Sequence, residues 1–99
     1  MDLAHEKKLA EKVEKYKKLT KKALEKITLI QGLSEKEKKT AHGFIGMAKS
    51  YFSDAAYFEE KKDLLTALAA YSYAHAWLDA GVKAGFFDAK GDSTLFVLP

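Results

Sequence analysis

The sequence predicts an all-α fold: an antiparallel up-down-up three-helix bundle that ends in a short extended C-terminal tail. Three observations carry this. The stretch Leu64 to Phe87 is apolar around nearly its whole circumference at 100° per residue, so it needs neighbours on two sides. Two long amphipathic stretches precede it and supply those neighbours. The joints between the three are only two to four residues long, which forces adjacent helices to run antiparallel.

The first helix is expected over residues 3–31. Leu9, Val13, Tyr16, Thr20, Ala23, Ile27 and Ile30 recur at alternating steps of four and three, the spacing of a packing seam. Glu11–Lys15 and Glu14–Lys18 are favourable pairs one turn apart on its charged side. Gly32 stands where a left-handed C-terminal cap belongs. Such a helix would be about 43 Å long at 1.5 Å per residue.

Ser34 and Glu37 form the sequence pattern of a capping box and open the second helix, expected over residues 35–61. Its stripe runs through Ala41, Phe44, Ile45, Ala48, Tyr51, Phe52, Ala55 and Phe58. Gly43 and Gly46 lower helix propensity and read as points where another helix comes close. Asp63 is the expected N-cap of the third helix, over residues 64–84, and Gly85 its stop. One arc of that helix gathers Leu64, Ala67, Leu68, Tyr71, Ala74, His75, Leu78, Gly81 and Val82. A second carries Ala70, Tyr73, Trp77, Ala80 and Ala84. The tail, residues 88–99, turns at Gly91 and closes on Leu95-Phe96-Val97-Leu98. Left in water those side chains invite aggregation, so the tail is expected to dock, along its own bundle or onto a second chain.

Ninety-nine residues make one domain with one real core. There is no cysteine, which excludes disulfides and thiolate metal sites. The chain opens without an apolar leader, and its most apolar window contains His75, Asp79 and Lys83. A membrane span is therefore not expected, and a cytoplasmic protein is. All seventeen basic residues are lysine, asparagine is absent, and Gln31 is the one glutamine. Few thermolabile amides with many Lys and Glu fit a thermophilic source.

The stretch Ala48 to Asp88 holds Ala70-Tyr71-Ser72-Tyr73-Ala74-His75-Ala76-Trp77-Leu78-Asp79-Ala80-Gly81, followed by a phenylalanine pair before aspartate. It resembles the archaeal family catalogued as domain of unknown function 357. The likeness covers the second and third helices and, more loosely, the Leu-Phe ending; the Lys-rich first helix is generic. The resemblance implies a small archaeal helical bundle with no established activity, and it brings no catalytic residues. Two other helical families fit less well. The Tyr/Ala spacing from Tyr51 to Ala74 looks like one tetratricopeptide pair, which cannot form a solenoid alone. Residues 62–67 look like nucleotidyltransferase-partner bundles, but the nucleases among them use an arginine, which this chain lacks.

Tyr71, His75 and Asp79 fall one turn apart along one edge of the third helix. As chemistry, His75 with Asp79 is a metal half-site or a base with its orienter. A site would need His42 or Asp54 to converge from the second helix. The favoured reading is a partly buried histidine satisfied by Tyr71, Asp79 or backbone, with no catalytic residue, metal ligand or cofactor assigned. Tyr73 and Trp77 form an aromatic pair suited to a neighbouring helix, a partner or a stacked base. Residues 1–40 carry twelve lysines against seven acids, a local +5, while residues 41–99 carry five against seven, −2. That asymmetry allows weak, sequence-nonspecific nucleic-acid binding. Interleaved acids and the lack of arginine favour a solvated face. The function expected first is therefore a non-enzymatic protein–protein interaction or self-association module, with Tyr71, Tyr73, His75, Trp77, Asp79, Leu95 and Phe96 as its candidate interaction or structural residues. Nucleic-acid binding is the alternative, and an enzyme at His75/Asp79 comes third.

Overall fold

The computed structural model describes residues 3–96. Three helices, α1 (Leu3–Lys26), α2 (Glu35–Glu60) and α3 (Leu64–Lys83), pack as the up-down-up bundle, and two two-residue strands, β1 (Thr28–Leu29) and β2 (Phe87–Asp88), pair at one end. Helix α3 is central: α1 and α2 both pack along it and touch each other little. Helices α1 and α3 run parallel, Val13 lying by Tyr71 and Thr20 by His75, while α2 runs against both.

The caps form as their residue types dictate. The Ser34 hydroxyl accepts from the Glu37 N–H (3.1 Å) and the Glu37 carboxylate accepts from the Ser34 N–H (2.9 Å). The Ser34 N–H first, and next the Ser34 side chain as a hydrogen-bond donor, hold the Glu37 carboxyl below its ordinary pKa. Asp63 accepts from the Thr66 N–H at 3.2 Å. Gly85, at φ +79°, ends α3 in a Schellman motif: Phe86 N–H donates to Gly81 C=O and Gly85 N–H to Val82 C=O. Helix α2 ends the same way, with Lys62 in the left-handed position (φ +65°) and Asp63 N–H donating to Phe58 C=O.

Side-chain size sets how closely the helices approach. Ala41, Ala48 and Ala55, at seven-residue steps on α2, are fully buried, as are Ala67 and Ala74 on α3. Tyr71, Leu78 and Val82 are the large side chains that fill the seam between them. A Cβ at Gly81 would overlap the Phe87 ring, so only glycine lets β2 fold back against α3. The core divides in two. Val13, Ala55, Ala67 and Tyr71 pack together towards the α2–α3 turn. Ala23, Ala41, Leu78, Val82, Phe87, Leu95 and Phe96 pack towards the strand pair.

Four expectations are corrected. The first helix stops at Lys26, not near residue 31, because Ile27-Thr28-Leu29-Ile30 is rich in β-branched residues and finds a sheet partner. Thr28 pairs with Asp88, Leu29 with Phe87, and Ile30 N–H donates to Phe86 C=O at 2.9 Å. Gly32 (φ +86°) serves the turn after β1 rather than a helix end. No atom lies within 4 Å of a Cβ built on Gly43 or Gly46, so neither glycine answers to a helix of this chain. The tail is turned rather than extended: Lys90 and Gly91 take positive φ, and Phe96 N–H donates to Asp92 C=O. Val97 and Leu98 of the expected apolar ending lie outside the described residues. No helix among the described residues is long and apolar enough to cross a membrane.

Candidate functional site

Tyr71, His75 and Asp79 do share one edge of α3, but each is tied to a different element. The Tyr71 hydroxyl donates to Glu59 Oε1 of α2 at 2.8 Å, and Lys17 of α1 closes on the same oxygen at 3.5 Å. Burial first, and then the hydrogen bond and charge of Glu59, push the Tyr71 hydroxyl well above the ordinary phenol range. His75 lies between the two halves of the core. Its Nε2 is 2.6 Å from the Leu95 carbonyl oxygen and its Nδ1 is 3.1 Å from Thr20 Oγ1. A carbonyl only accepts, so Nε2 carries a proton and donates to Leu95, while Nδ1 and the Thr20 hydroxyl share the second hydrogen bond. Asp79 Oδ1 is 3.9 Å from Nε2, within ion-pair range but beyond a hydrogen bond.

With both ring nitrogens engaged, this arrangement joins α1, α3 and the tail. His42 and Asp54 are exposed on α2, and no group of three or more His, Asp or Glu among the described residues could hold a metal ion. Of the three partners expected for His75, the backbone supplies the hydrogen bond, Tyr71 turns to Glu59 and Asp79 stays at 3.9 Å; the sequence reading does not include Thr20 among them. The signal was present, since Thr20 is the polar member of the α1 seam, and a fully buried hydroxyl needs a partner.

Leu95 and Phe96 are buried in this chain's own core, 8% and 3% exposed. Asp92 sets the approach: its Oδ2 accepts from Lys26 Nζ at 2.8 Å, and its Oδ1 accepts from the N–H groups of Thr94 and Leu95. The Lys26 bond, and next the Leu95 N–H, hold the Asp92 carboxyl below its ordinary pKa.

The second arc of α3 behaves differently. Tyr73 is 60% exposed and stacks on Tyr51 of α2, ring centroids 5.1 Å apart. Trp77 is half-buried, edge-on to Phe44 at 5.1 Å, and Phe44 in turn meets Phe86. Tyr73, Ala76, Trp77 and Ala80 line a shallow depression of about 230 Å³ with no acidic or basic side chain in its wall. Met47 is 40% exposed on α2. The outer side of the α2–α3 pair is thus aromatic, apolar and open. Most lysines other than Lys83 sit elsewhere: Lys8, Lys12, Lys15 and Lys22 are exposed along one edge of α1, while Lys17 and Lys26 are engaged by Glu59 and Asp92.

Residues 15–87 match the family model described as Protein of unknown function (DUF357). The match begins within α1, so the second half of that helix belongs to the shared pattern, and it ends at Phe87 of β2. No curated protein and no solved structure matches the chain.

Proposed function

This chain belongs to the protein family of unknown function DUF357, and from that premise we propose that it works by contact, as a non-enzymatic protein–protein interaction module. Its docking face is the outer side of the α2–α3 pair. One observation carries the reading: Tyr73 remains 60% exposed beside half-buried Trp77, over a depression walled only by Tyr73, Ala76, Trp77 and Ala80. Aromatic side chains open to water around a shallow apolar hollow are the makings of an interface centre. The histidine cluster supports a structural role over a catalytic one, because its ring nitrogens already serve Thr20 and Leu95. The setting we propose is the cytoplasm of an archaeon.

Photo-cross-linking tests the reading. A photoreactive residue at Ala80 should capture protein, a second copy or another chain, well above the yield of the same residue at exposed Lys15 of α1. Equal yields at the two positions would overturn the proposal.

A further inference from the structure

We infer that the occupant of the outer α2–α3 face is a second copy of this chain, docked with α3 antiparallel to α3 about a two-fold axis between Tyr73 and Ala76. This rests on the interaction-module reading and names its partner. The exposed strip of α3 runs Leu65, Ala69, Tyr73, Ala76, Ala80 and Ala84, in steps of four, four, three, four and four. The spacing reads the same in both directions. Set antiparallel to itself, the strip places Leu65 opposite Ala84, Ala69 opposite Ala80, and Tyr73 opposite Ala76. Both protruding side chains, Leu65 at 67% exposure and Tyr73 at 60%, thereby meet an alanine of the second copy. Large against small across a two-fold axis is the self-complementarity an isologous interface requires.

Charge points the same way. Between Leu65 and Ala84 the acidic and basic side chains are His75, largely buried by α1 and the tail, and Asp79 and Lys83, at the edge of the strip. The chain's positive excess lies on α1, and α1 packs against the His75 edge of α3, away from the strip. Docking through α3 keeps the two lysine-rich helices at opposite outer margins, where their mutual repulsion is least. A polyanion would gain nothing from the neutral strip.

The size is adequate. At 1.5 Å per residue and about 10 Å per helix the α2–α3 face measures roughly 28 by 20 Å. Its corrugated accessible area approaches the ~800 Å² per partner of a standard interface, about one-eighth of the 6456 Å² surface. Met47 and the exposed, side-chain-free Gly43 widen the face on the α2 side.

Light scattering over a wide concentration range tests the inference on the full chain. The expected mass is twice the 11.0 kDa of one chain. Ala76→Glu, exposed and compatible with a helix, should return it to the monomer with its circular dichroism unchanged. Ala76→Lys should do the same, and mixing the two variants should restore the dimer, because opposite charges then lie diagonally across the axis, about 4.5 Å apart along the helices. A dimer whose mass neither variant changes, or one abolished by deleting residues 93–99 instead, would overturn the α3 pairing. A monomeric parent whose Ala80 photoadduct captures a different protein would overturn the second copy and leave the interaction module standing. A monomer with no capture would overturn both.

Discussion

Leu78→Ala probes the packing of α3 most directly. Leu78 is fully buried in the cluster that holds Ala41, Ala48, Val82 and Phe96. Truncation removes three carbons, about 2.4 kcal/mol of transfer free energy at ~0.8 per buried carbon. The vacated space cannot close easily. Ala41 and Ala48 have no rotamers to redirect, and Val82 is stiff at χ1. A residual cavity of roughly 60 Å³ at about 24 cal/mol per Å³ adds ~1.5 kcal/mol. The expected loss is therefore about 4 kcal/mol, within the ~2–5 of buried leucine truncations. A domain of this size loses about 4–8 °C in Tm per kcal/mol, so the melt should fall by roughly 15–30 °C. Urea titration followed by circular dichroism measures the change, with the slope m unaltered. A loss under about 1.5 kcal/mol at unchanged m would refute the reasoning, because it would mean that α3 does not close the core at Leu78.

Two further outcomes follow from the polar ties. The Tyr71 hydroxyl ionises less readily in the fold than in the unfolded chain, so its contribution is complete below about pH 10 and declines as pH rises further. The urea midpoint of the parent should therefore fall more steeply above that pH than that of Tyr71→Phe, which at neutral pH loses about 1.5–3 kcal/mol, the range for a bond to a charged group; parallel alkaline slopes would contradict the Glu59 tie. Asp92 has the opposite sign: its depressed pKa gives stability that is present above the ordinary carboxylate value, about 3.9, and lost as pH falls through the folded one. Amide exchange corrected for intrinsic rates should show the Phe96 N–H losing protection in acid, and Asp92→Asn should show the same loss at neutral pH, whereas flat protection would mean that Lys26 does not hold the tail.

Most of the bundle was legible because its signals are local. Ser34 with Glu37, Asp63, and Gly85 each act within a turn of their own position, and the apolar arc of α3 needs only helical periodicity. What stayed hidden depends on partners far along the chain. Thr28 and Leu29 leave the helical pattern because Asp88 and Phe87 arrive beside them, about sixty residues later. Thr20 becomes a hydrogen-bond partner only once His75, fifty-five residues away, is packed against it. The outer side of the α2–α3 pair was half legible. The periodicity separated Tyr73, Trp77 and Ala80 from the core arc, but it could not show that α2 would cover Trp77 and leave Tyr73 open.

The strand pair makes the two ends of the molecule unequal. At one end β1 and β2, the Lys26–Asp92 ion pair and the Leu95 carbonyl on His75 bind the exits of α1 and α3 together. At the other, the first two turns of α1 lie open, Leu3 being 83% exposed, and a tight turn joins α2 to α3. Because α1 and α3 are parallel, both begin at the open end and finish at the sealed one. Local opening should then have a direction, fraying from the start of α1 and advancing towards Ala23, with the backbone around Leu29 and Phe87 the last to exchange. The bundle is hinged at one end, and tension that peels α1 away meets its resistance near the strand pair.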